Sequence, residues 1–207
     1  MLIVMRRLFF GLLLFAASGA VGQSKIQQVD FKNFSYPWKS DSGWPDHLEW
    51  LDPSEHEHIQ LANGHWTEEQ DAGGPFSGLT LEKVQFADVT GDRRTDAIVT
   101  LRCDTGGTQF SYYVYIYSLA EQGPKLLASF HSGDRAAAGL YQVYGQKGKL
   151  IVELFDPKKA EGDCCSSGFI RTQYRWTNGK FEAVGAQEFG TTKAPSRLPV
   201  NVFGTHQ

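Results

Sequence analysis

From Leu79 to Gly185 apolar and polar residues alternate in short runs broken by turn formers. Eight runs carry the pattern: "LTLEKVQFADV", "DAIVTLRC", "FSYYVYIYSL", "KLLASFHS", "AGLYQVYG", "KLIVELFD", "GFIRTQYRW" and "KFEAVG". A period of two predicts strands that bury one face. Most of the intervening turns are short, such as "TGDRRT", "QKG" and "TNG", so consecutive strands are expected to pair antiparallel. No segment shows a long helical period with caps. The expected class is all-β: an antiparallel meander of about eight strands, folded as two packed sheets or a rolled barrel. The strands divide into two sets of four, before and after "SGDRAA". A propeller needs at least four blades, and these strands suffice for two.

The chain ahead of Leu79 is less regular. "VDFKNFSYPW" (29–38) carries Val29, Phe31 and Phe34 and predicts one strand that docks on the main sheet. "KSDSGWPDHLEWLDPSEHEH" is rich in turn formers and reads as loop. In "EHIQLANGHWTEE", Asn63-Gly64 signals a type I′ hairpin. Ala62 then faces His65, and Ile59, Leu61 and Trp66 share a buried face. The expected organisation is a signal peptide at 1–22, an irregular segment with a hairpin at 23–78, the β domain at 79–190 and a tail at 191–207.

The signal peptide follows from residue order. Arg6 and Arg7 precede the apolar run "LFFGLLLFAASGA", and Ala20-Val21-Gly22 supplies small residues for cleavage. The apolar run is shorter than the ~20 residues of a spanning helix, so no stable membrane anchor is expected after cleavage. An exported protein, periplasmic or extracellular, is the expectation. Removing the leader leaves eighteen basic against twenty-three acidic residues, a formal charge of −5. Nucleic acid and anionic lipid are disfavoured as partners by that balance.

Three cysteines, Cys103, Cys164 and Cys165, enter an oxidising compartment, so one disulfide is expected. Adjacent Cys164 and Cys165 would need a strained ring, so Cys103 is expected to pair with one of them. A zinc site is disfavoured, because adjacent cysteines lack the C-x-x-C spacing.

The chemistry candidates begin with "DVTGDRRTDAIV". Asp88, Thr90, Asp92, Arg94 (through its carbonyl) and Asp96 fall at positions one, three, five, seven and nine of a calcium turn. Position six is Arg93 where glycine is usual, and position twelve is Val99 where an EF-hand has glutamate. The turn therefore has two readings. One is a calcium site. The other is a β-turn whose aspartates accept backbone hydrogen bonds and pair with the arginines.

The same residues resemble the Asp-x-x-Gly-Asp-Gly-x-x-Asp turn of FG-GAP and VCBS-type repeats, in which the aspartates hold calcium at a hairpin. That resemblance implies calcium as a cofactor. "VDFKNFSYPW", "FADVTGDRRTDAIV", "GGTQFSYYVYIYSL" and "GDCCSSGFIRTQYRW" together resemble a family of secreted bacterial proteins of unknown function. "TGD", then Gly106-Gly107-Thr108, then Cys164-Cys165 is similar, more distantly, to the actinobacterial LppP/LprE lipoproteins, whose domain hangs from a lipid anchor. These resemblances imply export and a β-rich domain, and they assign no catalytic residue.

His47, His56, His58 and His65 lie close in sequence. His56 and His58 share a strand face ~6.8 Å apart, while His65 falls ~13 Å beyond His58, which favours a solvated hairpin over a metal site. Asp134, Glu153 and Asp156 are candidate carboxylates for glycosidase chemistry, although nothing in the sequence fixes their separation. In "FSYYVYIYSL", Tyr112, Val114 and Ile116 take one face and Tyr113, Tyr115 and Tyr117 the other. The three-tyrosine face is the candidate ligand surface, and a covering N-terminal segment is its competing fate. The expected function is a non-catalytic binding or structural module for an envelope glycan or protein, calcium-stabilised if the turn is loaded. The alternative is a small hydrolase acting on envelope glycan or peptide polymer.

Overall fold

The computed structural model describes residues 25–38, 47–52, 57–67, 78–104, 110–134, 138–161 and 165–192, with the backbone alone at residues 161 and 165. The expected signal peptide, His56, Cys164 and the chain beyond residue 192 lie outside the described residues. The strands are β1 (Ser35–Trp38), β2 (Glu49–Leu51), β3 (Glu57–Gln60), β4 (His65–Thr67), β5 (Gly78–Ala87), β6 (Asp96–Asp104), β7 (Phe110–Ala120) and β8 (Gly123–Ser132). They continue with β9 (Leu140–Gln146), β10 (Lys149–Phe155), β11 (Ala160–Glu161), β12 (Cys165–Ser166), β13 (Gly168–Thr177), β14 (Lys180–Ala183) and β15 (Glu188–Thr191). All eight expected strands are present, as β5–β10, β13 and β14, and no α-helix occurs among the described residues.

The two sets of four each seed a sheet. β5 to β8 form the centre of a six-stranded sheet ordered β2-β8-β7-β6-β5-β4. The second sheet runs β14-β13-β10-β9, with β15 also paired to β13. The sheets pack face to face, so of the two expected arrangements the molecule takes the sandwich and not the closed barrel.

The N-terminal segment makes a third layer. Two 3-10 turns, at Ile26–Gln28 and Phe31–Asn33, lead into β1, so the single strand expected over 29–38 is confined to its last four residues. Asp30 explains the turn: its carboxylate accepts from Lys32 N at 3.1 Å and caps it. β1 pairs with β3. Asn63 and Gly64 take positive φ, 53° and 87°, and Ala62 bridges His65 as the hairpin pattern requires. Beyond that bridge the strands part. β3 joins the covering layer and β4 joins the six-stranded sheet beside β5.

The six-stranded sheet is therefore buried on both faces. Ala97, Val99, Leu101, Tyr113, Tyr115 and Tyr117 pack beneath Ile26, Phe31, Tyr36 and Trp38. Ile98, Val114, Ile116 and Phe130 pack on Val143, Leu150, Val152 and Phe181 of the second sheet. Burying each such side chain contributes about 1.5–3 kcal/mol before entropy is counted.

Candidate functional site

Two β-bulges set the geometry of a concave surface that combines aromatic and polar groups. In β5 the register slips between Leu81 and Lys83, leaving Glu82 as an extra residue. The slip inverts which residues face the second sheet. Leu81 lies opposite Leu101 and faces the N-terminal layer, whereas Lys83 lies opposite Thr100 and Gln85 opposite Ile98. In β9 the register slips opposite Glu153 and Leu154, leaving Tyr141 as the extra residue. Bulges re-aim side chains in this way and are frequent beside binding sites.

The two bulged strands meet at one corner and diverge from it. Gln85 Nε2 donates to the Val143 carbonyl at 2.6 Å, tying β5 to the edge of β9. Gly145 lies so close that a Cβ there would clash with Ala87 Cβ and come within 2.9 Å of Val89 Cγ1. Beyond this closed corner the sheets open into a cleft of about 260 Å³. Glu82, Lys83 and Gln85 form one wall, with Thr100 and Tyr112 behind them, and Leu140–Tyr144 of β9 form the other.

Both β9 tyrosines are held from the far side of the second sheet. Tyr144 donates its hydroxyl to Glu153 Oε1 at 3.1 Å, and the same oxygen accepts from Arg171 Nε at 2.7 Å. Arg171 Nη1 reaches Glu188 Oε2 at 3.0 Å. Glu153 is 3% exposed, so its charge is paired where pairing matters most. Burial first, and then the bond to Glu153, push the Tyr144 hydroxyl above its ordinary pKa. Tyr141 stacks on Phe169 with ring centroids 5.3 Å apart and touches Phe155 at 5.2 Å. Across the cleft, Glu82 meets Arg102 at 3.4 Å. That pair is partly exposed and of small energetic weight.

The sequence-level candidates are placed elsewhere. Tyr113, Tyr115 and Tyr117 are 2%, 0% and 3% exposed, beneath the N-terminal layer. Tyr115 donates to the Pro37 carbonyl at 2.7 Å and packs on Tyr36 at 5.0 Å. The tyrosine row is core, and its role as a ligand surface gives way to the covering segment.

Cys103 is a free, buried thiol, so the expected bridge from it to Cys164 or Cys165 is not formed. The reason is facing. Cys103 belongs with Ala97, Val99 and Leu101 beneath the N-terminal layer, while β12, which carries Cys165, pairs with β11 at the end of the second sheet. Burial pushes the Cys103 thiol up.

The aspartate turn is held by its own hydrogen bonds. Asp88 accepts from Gly91 N at 2.6 Å and Arg93 N at 3.0 Å, and Asp92 accepts from Arg94 N at 2.8 Å. Asp96 Oδ2 accepts from Val89 N, Thr90 N and Thr90 Oγ1 at 3.1, 3.3 and 3.2 Å. Arg93 takes a φ of 68°, doing the left-handed work of the usual glycine. The Arg94 guanidinium bonds the Leu119 carbonyl at 2.7 Å. No group of three or more His, Cys, Asp or Glu among the described residues is placed to hold a metal ion, and all three aspartates are described. Asp88 and Asp92 are committed to the turn's own backbone, while Asp96 Oδ1 is buried without a hydrogen-bond partner. The turn instead packs on the β9–β10 hairpin, where a Cβ on Gly148 would stand 3.0 Å from Gly91 Cα.

The histidines and carboxylates also disperse. His58 contacts Ser35 Oγ and His65 contacts Thr80 Oγ1, each at 3.4 Å. Asp134, Glu153 and Asp156 are all buried, but each is engaged separately: Asp134 by Phe110 N, Asp156 by Lys158 N, Glu153 by Arg171. The sequence reading missed Tyr141, Tyr144, Gln85 and Gln142 as site residues. The available signal was Gly145, an isolated glycine in a strand, which marks close backbone approach.

Comparison with family models, with curated proteins and with solved structures finds no match to this chain.

Proposed function

We propose that this protein is an exported, non-catalytic binding module that takes its ligand in the cleft between β5 and β9. Export rests on the basic, apolar and small-residue order of the leader. Binding rests on one observation: a cleft built at two facing bulges and lined by Tyr112, Tyr141 and Tyr144 among polar side chains. Amphipathic tyrosines on rigid strands supply contact area at low entropic cost. Hydrolysis of glycan needs two carboxylates flanking one bond, and Glu82 is the single carboxylate of the lining. Glu153, the buried carboxylate that holds Tyr144, is committed to Arg171 as well.

A panel of envelope glycans and peptides, probed with the protein and with its Tyr141→Ala and Gln142→Ala variants, tests this reading. Binding that both variants weaken, with melting temperature retained, is the expected result. Binding indifferent to both places the site elsewhere, and release of cleaved product from the panel restores the hydrolase.

A further inference from the structure

The lining chemistry narrows the occupant of the cleft, an inference that rests on the binding role just proposed. An extended peptide commonly binds by adding a strand to a free sheet edge. β9 is such an edge, since among the described residues it pairs with β10 alone. That edge is obstructed at its closed corner, however. The Val143 carbonyl is taken by Gln85, and Gly145 is sealed against Ala87 and Val89. This is how natural sheets blunt their edges. A peptide strand running the length of β9 is therefore blocked at Val143 and Gly145.

Charged polymers fare no better. The lining holds one cation, Lys83, and one anion, Glu82, and Glu82 is met by Arg102. A polyanion would find one lysine beside a carboxylate, and a polycation the reverse. With the mature chain acidic overall, long-range charge opposes a polyanion, and the cleft itself offers a polycation a single carboxylate that Arg102 already meets.

What remains is chemistry suited to a neutral polyol. Gln142 offers an amide that both donates and accepts, Thr100 a hydroxyl that does the same, and Tyr144, whose proton goes to Glu153, keeps an acceptor lone pair, as sugar hydroxyls require. Tyrosine rings supply faces for the apolar side of a sugar ring. The volume of about 260 Å³ falls just below the ~300–1,000 Å³ of drug-sized pockets, so the cleft suits a terminal unit rather than an enclosed chain. The bulged Tyr141 continues outward onto Phe155 and Phe169, which extends the aromatic surface beyond the cleft. We propose that the cleft between β5 and β9 binds a neutral sugar unit of a glycan chain, recognised by Tyr141, Gln142 and Tyr144.

The test is a residue-resolved NMR titration of the purified exported protein with four probes: tetra-N-acetylchitotetraose, cellotetraose, tetragalacturonate and a neutral extended octapeptide. Amide shifts at Lys83, Gln85, Gln142 and Tyr144 with a neutral tetrasaccharide, absent with tetragalacturonate and peptide, are expected. Tyr141→Ala is expected to weaken that binding at least tenfold and Gln142→Ala several-fold, the latter at an exposed position that leaves the fold intact. Galacturonate or peptide shifts at these same amides overturn the sugar assignment and leave the binding cleft standing. Sugar shifts confined to residues outside the cleft overturn both. No shift with either neutral tetrasaccharide overturns the sugar assignment, while the wider panel still decides the binding role.

Discussion

Tyr115 and Tyr144 each come from an alternating strand, and each spends its hydroxyl on one internal acceptor, yet they end in opposite circumstances. Tyr115 is fully buried, bonded to Pro37 and pressed on Tyr36. Tyr144 is half-buried, bonded to Glu153, and lines a cleft. The longer tyrosine row belongs to a central strand that the N-terminal layer covers. The shorter set belongs to an edge strand that a bulge turns outward. Position in the sheet, more than the density of aromatic residues, decides which tyrosines can meet a ligand.

The largest expected effect breaks the buried set. Tyr115→Ala should cost roughly 3–5 kcal/mol, as other large aromatic truncations do, and should loosen the N-terminal layer. Urea unfolding measures the first, and proteolysis after Lys25 or Lys32 the second. Gln142→Ala, on the exposed side of the comparison, should change stability by less than about 0.5 kcal/mol.

Next in size is the pH dependence of that buried face. His131 stacks on Tyr113 with ring centroids 4.2 Å apart, and neither ring nitrogen has a hydrogen-bond partner. Burial pushes its pKa down from 6.5 to about 4. Between those values the unfolded chain binds the proton and the folded one does not, so stability falls as pH drops from 6.5 to 4. The loss amounts to about 3 kcal/mol when the whole window is crossed. Asp96 acts in the opposite sense, because burial raises its carboxyl. Its folded form holds a proton that the unfolded form has lost, so its contribution declines as pH rises above 3.8. The difference between the protein and His131→Phe isolates the histidine. That variant keeps the stack, removes two unpaired nitrogens and should flatten the acid limb of the unfolding curve. An unchanged acid limb contradicts the assignment.

Smaller again is the closed corner. Gly145→Ala places a Cβ against Ala87 and should cost about 1–3 kcal/mol while widening the cleft, which amide exchange at Gln85 and Val143 would register. The smallest effect concerns the aspartate turn. Asp88 and Asp92 already accept the turn's backbone N–H groups, so melts in millimolar calcium and in chelator should coincide. A calcium-dependent rise would show a ligand bound to the native state.

The eight-strand meander was legible because turn chemistry and period-two alternation agree from Leu79 onward. The covering layer was only half legible. β6 and β7 are buried on both faces, which removes the polar side of the alternation and conceals which face the tyrosines occupy. β2 is three residues long and mostly exposed, so "EWL" carries no pattern to distinguish it from loop. The bulges at Glu82 and Tyr141 shift the face without interrupting the strand, and a single extra residue in a run reads as irregularity. The cleft depends on those two slips, on Gly145 and on a contact between strands nearly sixty residues apart. None of these is local. The Cys103 pairing failed for the same reason, since spacing gives loop length and says nothing of which layer a side chain enters.

The contrast between the two tyrosine sets is tested most directly by their chemical accessibility. Mild tyrosine nitration of the native protein, followed by peptide mass spectrometry, should modify Tyr141 and leave Tyr113, Tyr115 and Tyr117 unreacted until the protein unfolds. Nitration of Tyr115 at a rate matching Tyr141 in the native protein would contradict the covered ladder and return the ligand surface to that row.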